Sequence, residues 1–144
     1  MKDYNKLNEY ISNLAVLNVK LHNLHWNVEG KHFIQIHEFT ESLYNDFFEK
    51  YDEVAELLKM RDEKPLGKLA DYLQNASIQE LDKDKFSSDE VLQILQGDLN
   101  IMKSLATEIR NAADAAGDFE IVLSFEDHVT AYSKNLWFIK SMLA

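Results

Sequence analysis

Four of the five histidines in this 144-residue chain fall in one short stretch, as His22, His25, His32 and His37. His22 and His25 stand at i, i+3 and would share a helix face. His37 has Glu38 and Glu41 close by, and farther on Asp52 and Glu56 stand at i, i+4, again one face of a helix. Imidazole and carboxylate on adjoining helices are the ligand set of an oxygen-activating iron site. The chain has no cysteine, which excludes disulfides, thiolate metal sites and thiol catalysis. Any metal must be held by histidine, carboxylate and water, a set that suits iron, manganese or zinc.

Spacing constrains how these groups could meet. His37 and Asp52 are fifteen positions apart, about 22 Å along an α-helix, so one metal cannot be held by both within one chain. His25 can lie beside His37 across the turn at Gly30. A complete site then needs His25 and His37 from one chain and Asp52 and Glu56 from another. Two antiparallel second helices about a two-fold axis would supply that set twice, because an isologous interface repeats every contact. On these residues alone a second reading stands beside this one. Histidines near helix ends also serve as surface or capping groups, and Asp52, Glu53 and Glu56 also read as a solvated helix face. Glu29 and His32 form a single E-x-x-H string that straddles Gly30, a coincidental match. His22, His32 and His128 lack carboxylates at telling distances and read as structural or supporting groups. Trp26, Phe33, Phe39, Phe47 and Phe48 read as core or interface packing.

The elements that would position these residues are helical. With four glycines and one proline the chain lacks the turns of a β-sandwich or barrel. Leu7, Ile11, Leu14, Leu17, Leu21, Leu24 and Val28 form one apolar stripe, predicting a first helix from about Tyr4 to Val28 that ends at Gly30. Ile36, Leu43, Phe47, Tyr51, Val54 and Leu58 predict a second helix over Phe33 to Met60, closed by Pro65 and Gly67. Residues 62–88 read as a crossover between parallel helices, with a short helix near Leu69 to Asn75. Ser87 and Glu90 form a capping box that opens a third long helix, ended by Gly117. A fourth runs from about Phe119 to the C-terminus. The fold class expected is therefore all-α: a ferritin-like four-helix bundle with one long crossover carrying a short helix, in one domain over 1–144.

Composition bounds the partners. The formal net charge is -10 and the pI is near 4.9, a balance that attracts cations and repels phosphate backbones. The lysines are scattered, so direct DNA binding is not expected. No apolar run approaches the length of a membrane span, and the start MKDYNKLNEY lacks a signal-peptide core. The expected location is cytoplasmic.

The stretch from Leu21 to Leu58 closely resembles the signature of the Dps family of mini-ferritins. That pattern runs H-W-x-V-x-G-x-x-F, then L-H-x-x-F/L-E, then D-x-x-A-E. It is met by His25-Trp26-Asn27-Val28-Glu29-Gly30 with Phe33, by Ile36-His37 with Glu41, and by Asp52-Glu53-Val54-Ala55-Glu56. The resemblance implies a hollow dodecamer, built from two-fold dimers, with a ferroxidase centre of up to two irons at each two-fold interface. His25 and His37 would come from one subunit, Asp52 and Glu56 from its partner, with Glu41 joining through water. Glu38 and Glu41 would face the cavity and nucleate ferric mineral, and Trp26 would intercept oxidising equivalents. The implied activity is oxidation of Fe(II) with H2O2 or O2, followed by iron storage. Acidic pore residues would be sought among Asp114, Asp118, Glu120 and Asp127. Many members bind DNA through a lysine-rich tail, and no such tail is expected here. The competing expectations are a non-catalytic helical shell with a zinc-filled or empty groove, an ordinary ferritin with a site inside one bundle, and a plain interaction module. The ordinary ferritin would need paired E-x-x-H motifs that this chain does not have.

Overall fold

Periodic apolar stripes become five helices in the computed structural model, which describes residues 4–144. The first three residues of the start read above as lacking a signal-peptide core lie outside it. Helix α1 spans Asn5–Asn27, α2 Phe33–Lys59, α3 Leu69–Asn75, α4 Ser88–Ala115 and α5 Phe119–Leu143. Leu7, Ile11, Leu14, Leu17, Leu21 and Leu24 are all buried, and they meet Val54, Leu58, Leu95, Leu99, Met102, Phe125 and Tyr132 in one core. The fold class read from the sequence is the one observed, short helix included.

Helices α1 and α2 pack as one hairpin and α4 and α5 as another. Ion pairs Lys6–Glu108 and Lys20–Asp98 join α1 to α4 in opposite chain senses, so these two helices are antiparallel. Helix α4 consequently runs parallel to α2, and the chain between them must travel the length of the bundle. Helix α3 lies on α1 within that crossover. Side chains of α1 hold the crossover: Asn13 Oδ1 accepts from the backbone N–H of Ser77 at 2.7 Å and of Ile78 at 3.2 Å, and Asn8 Oδ1 from that of Leu66 at 3.0 Å.

The C-terminal ends of α1 and α2 each fall one residue short of the sequence reading. Helix α1 ends at Asn27, because Val28 and Glu29 turn extended and form strand β1, paired in parallel with β2, Phe86–Ser87. A two-residue bridge has no detectable period, so the pattern could not reveal it. Gly30, at φ +122°, lies past the helix end and shapes the turn into α2, where Phe33 N–H donates to its carbonyl at 3.1 Å. Helix α2 stops before Pro65 and Gly67. Asp62 adopts φ 59°, while Asp62 N–H donates to Lys59 O and Glu63 N–H to Leu58 O. This is the helix-ending hydrogen-bond pattern usually built on glycine, here with an aspartate, one of the few other residues tolerant of that region. Gly117, at φ +72°, ends α4 in the same way, with Asp118 N–H on Ala113 O at 2.9 Å. The Ser87–Glu90 capping box forms as expected.

Among the described residues, no helix is long and apolar enough to cross a membrane.

Candidate metal centre

The turn between α1 and α2 folds the last turn of one helix against the first turn of the next, bringing His25 and His37 face to face. Their rings stack with centroids 3.6 Å apart and planes within 14°. Each ring grips the other residue's backbone. His25 Nδ1 lies 2.7 Å from His37 O, and His37 Nδ1 lies 2.9 Å from His25 O. A carbonyl only accepts, so both Nδ1 atoms carry hydrogen, and a neutral ring held this way has its lone pair on Nε2. That is the tautomer a metal-binding imidazole requires, fixed by the hydrogen bond its other nitrogen makes. Thr40 Oγ1 adds a second acceptor 3.0 Å from His25 Nδ1, while its own hydroxyl donates to Ile36 O at 2.8 Å. Two such hydrogen bonds stabilise the arrangement by about 1 kcal/mol each. Burial lowers the pKa of His25, opposed by its hydrogen bond to the His37 carbonyl, so the ring is neutral at pH 7.

A collar of aromatic groups surrounds this pair. His22 stacks on Tyr44 with centroids 4.0 Å apart and lies 6.5 Å from His25. Tyr44 meets His25 edge-on at 5.3 Å and donates to Glu41 Oε1 at 3.2 Å. Trp26, 5.4 Å from His22, is 66% exposed. Tyr44 was absent from the sequence reading, although His37, Glu41 and Tyr44 at i, i+4 and i+7 share one helix face. Phe47 is buried and Phe33 and Phe39 are partly so, but Phe48 is 66% exposed on the same side of the fold as Leu69.

The carboxylates lie elsewhere. Asp52 and Glu56 are exposed on α2, as are Glu38 and Glu41, and α2 is unbroken between His37 and Asp52. Among the described residues, no group of three or more histidine and acidic side chains converges on one point. One chain thus presents two imidazoles at one end of α2 and two carboxylates about 22 Å along it. Glu53, between them in sequence, is also exposed, and its carboxylate lies 3.4 Å from the Nε2 of buried His128. His128, on α5, is buried and meets Tyr10 of α1 and Glu53 of α2, and His32 is exposed. Of the acidic residues considered for a pore, Asp118 caps α5 by accepting from Ile121 N–H at 3.3 Å. Arg61 also holds Asp118, at 2.7 Å from Nε. Asp114 lies 3.5 Å from Arg110.

A model of the ferritin-like domain matches residues 4–144. The DNA protection during starvation protein of Brevibacillus brevis is 33% identical over 138 residues, covering 95% of this chain and 91% of that one. This chain is a member of the Dps family. Among solved structures, Helicobacter cinaedi CAIP superposes with a TM-score of 0.94 at 36% identity, covering 96% of this chain and 97% of that one. The Dps protein of Vibrio cholerae, described as one of the ferritin-like diiron-carboxylate proteins, gives 0.93 at 27% identity and covers 97% and 87%. Membership in the Dps family agrees with the motif residues that surround the stacked histidines.

Proposed function

We propose that this Dps-family chain is a ferroxidase and iron store whose metal centres are shared between two copies. His25 and His37 of one copy and Asp52 and Glu56 of its partner would hold up to two ferrous ions, with Glu41 reaching them through water. The observation that carries this reading is the reciprocal histidine clamp. It commits the Nδ1–H of both rings to carbonyls and leaves each Nε2 for a metal, while the chain's own carboxylates are too far along α2 to complete the set. An antiparallel pairing of two α2 helices about a two-fold axis supplies the missing half twice.

The chemistry follows from the ligands. Neutral imidazoles bind Fe(II) without adding charge, and carboxylates stabilise the extra positive charge of Fe(III). Two ferrous ions in one site give two electrons to one H2O2, leaving two Fe(III) and two hydroxide ions. O2 is the alternative oxidant. Ferric product would collect in the cavity of a closed homo-oligomer, a dodecamer, with Glu38 and Glu41 nucleating mineral. The net charge of -10 draws ferrous ions and disfavours contact with DNA phosphates. Protection of DNA, the role named for its relatives, would then come from removing iron and peroxide before they form hydroxyl radical. No helix among the described residues is long and apolar enough to cross a membrane, and the proposed site of action is the cytoplasm.

Stopped-flow absorbance of iron oxidation tests the assignment. His37→Ala and Glu56→Ala should each slow the fast phase by an order of magnitude or more while sedimentation shows an intact assembly. Unchanged rates would remove these residues from the centre.

A further inference from the structure

The best-built polar group in the bundle lies outside the histidine clamp. Tyr10 of α1 and Tyr132 of α5 are fully buried and joined through their hydroxyls. Tyr10 Oη also lies 2.9 Å from His128 Nδ1, and His128 Nε2 is 3.4 Å from the Glu53 carboxylate. The direction of the chain can be deduced. A carboxylate only accepts, so His128 carries its hydrogen on Nε2 and offers a lone pair at Nδ1. Tyr10 therefore donates to His128, and Tyr132 donates to Tyr10. Phenylalanines would fill the same volume without any of these polar groups. Instead a buried phenol faces a buried imidazole, and the chain of contacts ends at the exposed carboxylate of Glu53, next in sequence to Asp52.

We propose that Tyr10, backed by Tyr132, is a one-electron donor to the acidic half of the iron site, and that His128 receives its phenolic proton. Burial raises the pKa of both tyrosines and lowers that of His128. Neither phenolate nor imidazolium is present at rest, and electron loss must carry the proton with it. The donor matters when a site holds a single ferrous ion. Peroxide then takes one electron from Fe(II), giving Fe(III), hydroxide and an oxidant at the level of hydroxyl radical. Tyr10 supplies the second electron, reducing that oxidant to hydroxide. The phenolic proton moves to His128 Nδ1, leaving a neutral tyrosyl radical beside an imidazolium that faces Glu53. A later Fe(II) returns the electron, and the proton goes back to Tyr10.

This inference rests on the ferroxidase reading for its oxidant, so the test has two arms. In the first, the assembled protein receives less than one Fe(II) per site and then H2O2, and is freeze-quenched for electron paramagnetic resonance. A radical that narrows with ring-deuterated tyrosine and is lost in Tyr10→Phe is expected. His128→Gln, which keeps a polar contact but no base, should lose it too and carries the test if Tyr10→Phe fails to fold. In the second arm, iron-free protein is oxidised by photogenerated tris(bipyridine)ruthenium(III), and the same Tyr10-dependent radical is expected. Iron oxidation with no tyrosyl radical in either arm overturns the inference and leaves the ferroxidase reading standing. A Tyr10-dependent radical under the ruthenium oxidant without any iron oxidation keeps the donor and removes the ferroxidase. An equal signal in wild type, Tyr10→Phe and His128→Gln overturns the proposal.

Discussion

Lys20 and Asp98 form an ion pair at 2.7 Å between α1 and α4, with side chains only 6% and 10% exposed. Replacing Lys20 with methionine keeps the apolar stem and removes the charge, leaving Asp98 buried and unpaired. Breaking a buried pair from one side costs about 3–5 kcal/mol, whereas replacing both partners with apolar residues is neutral or stabilising. A chain of this size has roughly 5–15 kcal/mol of stability in total, so Lys20→Met should remove a large share of it. At a urea dependence of about 2 kcal/mol per molar, the midpoint should fall by roughly 2 M, and Lys20→Met with Asp98→Leu should recover most of it. The pH dependence has a definite sign. Burial raises the pKa of Asp98 even with Lys20 opposing it, and without Lys20 it must rise further. The folded variant then binds a proton more tightly than the unfolded chain does, so its stability falls as pH rises through the raised pKa. The deficit against wild type should be largest at pH 7 and shrink toward pH 4–5. Urea unfolding followed by circular dichroism at both pH values checks this. A Lys20→Met midpoint equal to wild type, or a double variant weaker than the single, would refute the reasoning.

Other expectations follow from the helix ends. Asp62→Val should destabilise by about 1–2 kcal/mol because a β-branched side chain is strained at positive φ, and Asp62→Gly should cost nothing measurable; thermal melts distinguish them. Arg61 holds the Asp118 carboxyl below its usual range. Its contribution is present above about pH 4 and is lost as pH falls through the depressed pKa. Arg61→Met should therefore lower stability at pH 7 and flatten that acid-side decline, as read from unfolding midpoints between pH 3 and 7.

How much of this was legible in advance follows from the range of each interaction. The stripe from Leu7 to Leu24 and the box at Ser87 and Glu90 are local, so α1, α4 and their order could be read directly. The approach of His25 to His37 was readable because a short turn separates two strong helices. The reciprocal carbonyl clamp was not, since it depends on ring orientation. Glu53 looked like one more member of a charged run with Asp52 and Glu56. Only the packing of α5 against α1 and α2, a contact between distant parts of the chain, brings buried His128 to its carboxylate. The link between Tyr10 and Tyr132 was invisible for the same reason: in the sequence they are 122 positions apart. Asp62 escaped notice because Pro65 and Gly67 are the stronger stop signals.

Mixing two inactive variants tests the shared site most directly. One variant carries His25→Ala with His37→Ala, and the other carries Asp52→Ala with Glu56→Ala. Each alone should lack the fast phase of iron oxidation. Dissociated, mixed in equal amounts and reassembled, they should form pairs in which one of the two sites has all four native side chains, restoring about a quarter of the wild-type amplitude. Mixed assemblies of normal size with no recovered oxidation would contradict a centre completed across two subunits.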